Sequence, residues 1–184
     1  MKRSLFAAAL AGTALVSLPF AARAQVSTVA KSVEFGIAAG AALPMSDLSD
    51  DANTGFNVTG TIGFHPQMIP LGIRADVAYN SFGIKDVTGF TGNFNFTSVT
   101  GNLVYSIPSE TVAPYLIGGV GVYNLKADIP GFTSGSDNKF GWNIGGGIKL
   151  PLSGFDTFLE ARYNQVQVDN GSLKFIPITF GVMF

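Results

Sequence analysis

The chain of 184 residues is 47% hydrophobic and 12% aromatic but only 12% charged, with 23 glycines, no cysteine and a formal net charge of −1. That length suits one domain, 16 phenylalanines are too much apolar surface to leave unfolded, and disulfides and thiolate metal sites are excluded. Charged residues fall at about half the usual share of roughly 25%, and there is no basic field to hold nucleic acid. The composition points to a protein whose outside is not water.

The chain opens on Met1-Lys2-Arg3, continues through an apolar stretch over residues 4–20, and reaches Ala22-Arg23-Ala24. A basic start, a short apolar run and a small-x-small site predict a secretory signal peptide over residues 1–24, cleaved before Gln25. A membrane anchor fits less well. The apolar run is short and broken by Pro19, whereas a spanning helix needs about 20 residues. No later segment is apolar for long enough to span as a helix. If the mature domain, residues 25–184, enters a membrane, it enters as strands.

Period-two alternation runs through that domain. Residues 55–64 set Phe56, Val58, Ile62 and Phe64 against Asn57, Thr59, Thr61 and Gly63. Residues 71–79, 140–150, 159–164 and 176–184 alternate in the same way, the last with Ile176, Ile178, Phe180, Val182 and Phe184 on one face. Residues 33–43, 98–107 and 115–125 also read as strands, although Gly118, Gly119 and Gly121 blur which side of the last is apolar. Long polar links are predicted over 45–53, 83–93, 126–138 and 166–173, and short ones over 65–70, 108–111 and 151–155. An even number of strands, short turns on one side and longer loops on the other predict an eight-stranded antiparallel up-and-down transmembrane β-barrel. No helix is needed.

Alternation alone leaves open which face points inward, since a soluble lipocalin-like barrel hides its apolar face. The polar face here is mostly Gly, Ala, Thr, Ser and Asn, small enough for the interior of a narrow barrel. Its charges balance: Glu34, Asp76 and Glu160 against Arg74, Lys149 and Arg162. Such a balance suits a low-dielectric interior, where an unpaired charge is heavily penalised. Phe64, Tyr79, Tyr105, Tyr123, Trp142, Tyr163 and Phe184 fall toward strand ends, as in the aromatic girdles of membrane barrels. The apolar face is therefore assigned to lipid.

The closing run Phe175-Ile-Pro-Ile-Thr-Phe-Gly-Val-Met-Phe184 resembles the last strand of small outer-membrane β-barrel proteins of the OmpA/OmpX-like family. The runs Pro114-Tyr-Leu-Ile-Gly-Gly-Val-Gly121 and Phe140-Gly-Trp-Asn-Ile-Gly-Gly-Gly147 are similar to central strands of that family. The resemblance implies location in a Gram-negative outer membrane, contact with its lipid and lipopolysaccharide, and insertion by the barrel assembly machinery with periplasmic chaperones. It also implies that Ile178, Phe180, Val182 and Phe184 form the assembly signal. It fixes no single activity.

Candidate chemistry is sparse. His65, the sole histidine, lies beside Pro66 in a short turn and reads as solvent-facing. The resemblance includes lipid A deacylases and palmitoyltransferases that use a histidine, but at the outer-leaflet end, opposite His65. Asp47, Asp50 and Asp51 match no calcium-loop spacing and read as solvated loop charge. The six interior charges read as a salt-bridged plug, with Arg74 paired to Glu160 or Asp76 to Arg162, because eight strands leave a lumen that side chains fill. The expectation is a monomeric, non-enzymatic envelope or surface-interaction protein with no cofactor, metal or nucleic-acid partner. The alternative is a small porin-like channel, or a binder or transporter of small or hydrophobic solutes.

Overall fold

The computed structural model describes residues 33–66, 69–85, 92–109, 112–128, 135–152, 154–169 and 171–184; the expected signal peptide, residues 1–24, lies outside them. In chain order the elements are β1 (Val33–Met45), α1 (Asp47–Asp51), β2 (Gly55–Phe64), β3 (Leu71–Gly83), β4 (Asn93–Ser106), β5 (Ala113–Asp128), β6 (Ser136–Pro151), β7 (Asp156–Val168) and β8 (Gly171–Met183). Each strand pairs antiparallel with the next, and β1 pairs with β8, so the sheet closes as an eight-stranded barrel. Reciprocal bonds from Phe184 N to Phe35 O (2.7 Å) and Phe35 N to Phe184 O (3.0 Å) fasten the lower end of that seam. No helix among the described residues is long and apolar enough to cross a membrane.

Alternation decides the faces. Phe35, Ile37, Ile62, Ile73, Val99, Leu116, Phe140, Ile144, Leu159 and Phe180 all stand exposed on the outer surface. Asn57, Arg74, Asp76, Thr100, Asn102, Asn143, Glu160 and Thr179 are buried in the lumen. This inside-out arrangement is what a hydrocarbon surround selects, because the backbone is satisfied by the ladder and the apolar side chains by lipid.

Three expectations need correction. Within the expected links 126–138 and 166–173, residues 126–128, 136–138, 166–168 and 171–173 are strand. Polar residues there pair across strands, as in Asn124 Nδ2 to Asn138 Oδ1 (2.9 Å) and Asn95 Nδ2 to Asp128 Oδ2 (2.7 Å). Their polarity marks where lipid ends, and the ladder continues past it. Second, the link after β1 contains the one-turn helix α1, which carries Asp47, Asp50 and Asp51 on its exposed side and buries Leu48 in the barrel mouth. Third, Tyr123 is no girdle residue. It is only 1% exposed, because Tyr115, Ile117, Gly119, Gly121 and Tyr123 form the inward face of β5.

The lumen is layered. At the loop end, Phe82, Phe96, Phe175 and Tyr123 pack with Leu48, Ala42, Ala52 and Val166, with Phe82 and Phe96 ring centroids 5.3 Å apart. At the turn end, Ala38, Phe158 and Met183 form one apolar group and Val104, Tyr115 and Ile117 another. Polar residues fill the layer between. Interior glycines supply the room: a side chain at Gly147 would strike the Tyr115 ring, and one at Gly145 would strike the β7 backbone and the Arg162 side chain.

Valine at Gly145 or Gly147 is therefore expected to destabilise the barrel by about 1–3 kcal/mol through overpacking. Gly60→Val, on the lipid face where an added Cβ meets no atom within 4 Å, should fold like the parent. Urea unfolding in detergent, followed by the heat-modifiable gel shift, reads the difference.

Candidate functional site

The polar middle layer brings four of the six interior charges together. Arg74 and Asp76 are two apart on β3 and Glu160 and Arg162 two apart on β7, so each pair shares the inward face of its strand. Arg74 Nη2 donates to Glu160 Oε2 at 2.7 Å, and Arg162 Nη1 reaches Asp76 Oδ2 at 2.8 Å. Within each strand, Arg74 Nε lies 3.1 Å from Asp76 Oδ1, and Arg162 Nε donates to Glu160 Oε1. Two guanidiniums and two carboxylates thus form a ring across the lumen, with planar forks matched to carboxylate edges.

Neutral groups complete it. Tyr115 Oη donates to Glu160 Oε2 at 2.8 Å, and Asn102 Nδ2 donates to Asp76 Oδ2 at 2.9 Å. Asn143 Nδ2 in turn donates to Asn102 Oδ1 at 2.9 Å. Sequence reading passed over Tyr115, Asn102 and Asn143. All three lie on inward faces; a firm assignment of faces to β4 and β5 would have found Asn102 and Tyr115, and Asn143 already stood on the polar side of β6.

The other two charges are elsewhere. Lys149 Nζ contacts Glu34 Oε2 at 3.0 Å and lies 3.7 Å from Asp156 Oδ2, near the turn end. Asp156, at the start of β7, is a partner that the sequence reading left out. Two small spaces in the central layer measure about 20 Å³ around Asp76, Glu160 and Arg162 and about 10 Å³ beside Thr61. Each has room for about one water.

His65 is not the solvent-facing residue that its turn suggested. Its ring folds into the turn-end mouth over Gly72, where any added Cβ would strike the imidazole, and its Nε2 lies 3.1 Å from Ser106 Oγ. Glu34, Arg74, Tyr115 and Lys149 line the same cavity of about 20 Å³. Burial, and next the positive charge of Lys149, lower the His65 pKa below its ordinary 6.5. The neutral ring is the folded form, so its contribution to stability is present above pH 6.5 and lost as the pH falls through the depressed folded value. NMR titration of the imidazole should give a midpoint below 6.5; a midpoint at or above that value would contradict the buried placement.

The comparisons with known proteins concern the whole barrel. Neisserial surface protein A matches with a TM-score of 0.67 and 18% identity over 83% of this chain and 96% of its own. Ail, the attachment invasion locus protein of Yersinia pestis, solved with the heparin analogue sucrose octasulfate, gives 0.52 and 22% over 83% and 99%. The outer membrane enzyme PagL gives 0.52 and 13% over 82% and 98%. At these identities the likeness is one of fold. No curated protein matches the sequence. The model for the outer membrane protein beta-barrel domain matches residues 7–184, nearly the full chain and every strand of the closed sheet, and the chain belongs to that family.

Proposed function

We propose that this protein is a plugged outer-membrane barrel with a structural or surface-interaction role, its loop end outside the cell and its turn end in the periplasm. The observation that carries this reading is the filled lumen. The Arg74–Glu160–Asp76–Arg162 ring spans its centre, and apolar groups close it above and below. A residual space of about 20 Å³ beside the His65–Ser106 pair leaves no room for a substrate, which supports a non-enzymatic role. The names of Neisserial surface protein A and of the attachment invasion locus protein fit a surface role, on the likeness of fold alone.

The reading includes export by a signal peptide over residues 1–24 to a Gram-negative outer membrane, and a monomer bathed in lipid and lipopolysaccharide. In it, the barrel assembly machinery and periplasmic chaperones recognise the alternating run Ile178, Phe180, Val182 and Phe184. Ile178, Phe180 and Phe184 stand exposed on the lipid side, free of the lumen packing, so their conformation leaves them open to recognition during insertion. The Phe184 ring lies at the rim, 6.0 Å between centroids from Phe155.

In planar bilayers the purified protein should pass no steady current; large, ion-selective currents would replace the plug with a channel. Arg162→Ala takes one of two guanidinium partners from Asp76 and one from Glu160, and should cost up to about 3–5 kcal/mol in the fully buried limit. Arg162→Ala combined with Asp76→Ala should recover part of that loss. Additive losses in the double variant would mean that the charges act independently, as in a water-filled pore.

Replacing Phe184 by Asp should lower the yield of compact, heat-modifiable barrel in cells far more than it lowers the urea resistance of barrel already folded. Equal yields from variant and parent would dismiss the assembly role.

A further inference from the structure

A wide concavity lies outside the lumen. A groove of about 700 Å³ crosses the outer face of β2 to β5, within the roughly 300–1,000 Å³ range of small-molecule sites. Two rows of the sheet build it. Ile62, Ala75, Gly101 and Val120 are register partners in one row, and Phe64, Ile73, Leu103 and Gly118 in the next. The small residues Ala75, Gly101 and Gly118 make the floor, and Ile62, Ile73, Leu103 and Val120 stand up as walls. Arg74 and Asn102 border the floor but spend their polar atoms in the lumen, on Glu160 and Asp76.

The two glycines of the floor have no internal reason to be glycine. A Cβ at Gly101 would meet no atom within 4 Å, and one at Gly118 would meet only the Asn143 carbonyl at an ordinary 3.6 Å. Next to them, Gly119 is obligatory, since its Cβ would strike Asn102 and the Gly101 carbonyl. Glycine within a strand weakens it and marks a place where a ligand or another backbone comes close. No described neighbour in this chain fills the space over Gly101 and Gly118, so the hollow between the walls stands open to the membrane.

We infer that the groove seats one acyl chain of a phospholipid from the periplasmic leaflet. The groove is continuous with the lipid-facing belt, so hydrocarbon already surrounds it. Its walls offer no hydrogen-bonding side chain with which to fix a protein partner. It reaches the turn-end rim at Val33 and Phe64, so a chain enters it from headgroups at that end. In hydrocarbon there is no hydrophobic driving force, and van der Waals contact decides what stays. A flexible chain lying between Ile62, Ile73, Leu103 and Val120 touches protein on three sides, where elsewhere on the convex belt it touches on one. The assignment of leaflet rests on the orientation proposed above.

The full-length protein reconstituted in phospholipid vesicles carrying a photoactivatable diazirine on the acyl chain tests this. Labelling should concentrate on Ile62, Ile73, Leu103 and Val120 over Ile144 and Leu159 on other faces of the barrel. In Gly101→Leu/Gly118→Leu the preference should vanish while the heat-modifiable shift stays. Uniform labelling, or a preference unchanged in the filled variant, overturns the groove. Dimers trapped in the same vesicles by a separate bifunctional cross-linker, with no lipid adducts in the groove, would make the occupant a second copy and overturn it equally. In outer membranes, labelling of the groove by lipid A acyl chains and not by phospholipid overturns the leaflet. Because the chain lacks cysteine, Asp50→Cys, labelled or not on intact cells by an impermeant maleimide, reports orientation separately. External labelling with an unlabelled groove sinks this inference alone, and no external labelling sinks the orientation.

Discussion

Closure of the sheet is the constraint on which everything else here depends. In hydrocarbon no water satisfies a free N–H or C=O, so a spanning sheet has no tolerable edge. The β1–β8 seam removes the last edge, from Gly36 opposite Met183 to Met45 opposite Lys174, and the Phe35–Phe184 bonds finish it. With eight strands, closure also fixes the diameter, and the interior is then only as wide as side chains can fill.

That width explains the chemistry of the lumen. Charges drawn into it have no bulk solvent, so each must be paired or pay a desolvation penalty of several kcal/mol. Arg74, Asp76, Glu160 and Arg162 meet this by alternating signs around one ring, and Tyr115 and Asn102 take up remaining carboxylate lone pairs. The same narrowness makes the glycines under Tyr115 and Arg162 structural. Lys149 and His65, nearer the rim, are only part-buried, and each still has a polar partner there, Glu34 and Ser106.

The two faces of the barrel consequently obey different rules. Inside, volume is scarce and glycines such as Gly145 and Gly147 answer to a neighbour in this chain. Outside, volume is free, and a small residue leaves a hollow that the medium must fill, as at Gly101 and Gly118. A single residue type thus carries opposite information on the two sides of one sheet, and only the register tells which applies.

The sequence by itself determined the strands of clear alternation, their up-and-down order and the outward apolar face, because period two and the low charge content survive without tertiary knowledge. It also set Glu34, Arg74, Asp76, Lys149, Glu160 and Arg162 on the polar face. The sequence offered Arg74 with Glu160 or Asp76 with Arg162 as pairs, and the structure forms both. Tertiary structure alone decided that they join in one ring, because Arg74 and Glu160 lie 86 residues apart and meet only through the register of a closed sheet. For the same reason it decided that Tyr123 faces inward, on a strand whose glycines erase the alternation. Polar strand ends at 126–128 and 171–173 were misjudged as loop, since their pairing residues are visible only across the ladder. His65 was misjudged too: its seat depends on the space above Gly72 and on Ser106, which is 41 residues away.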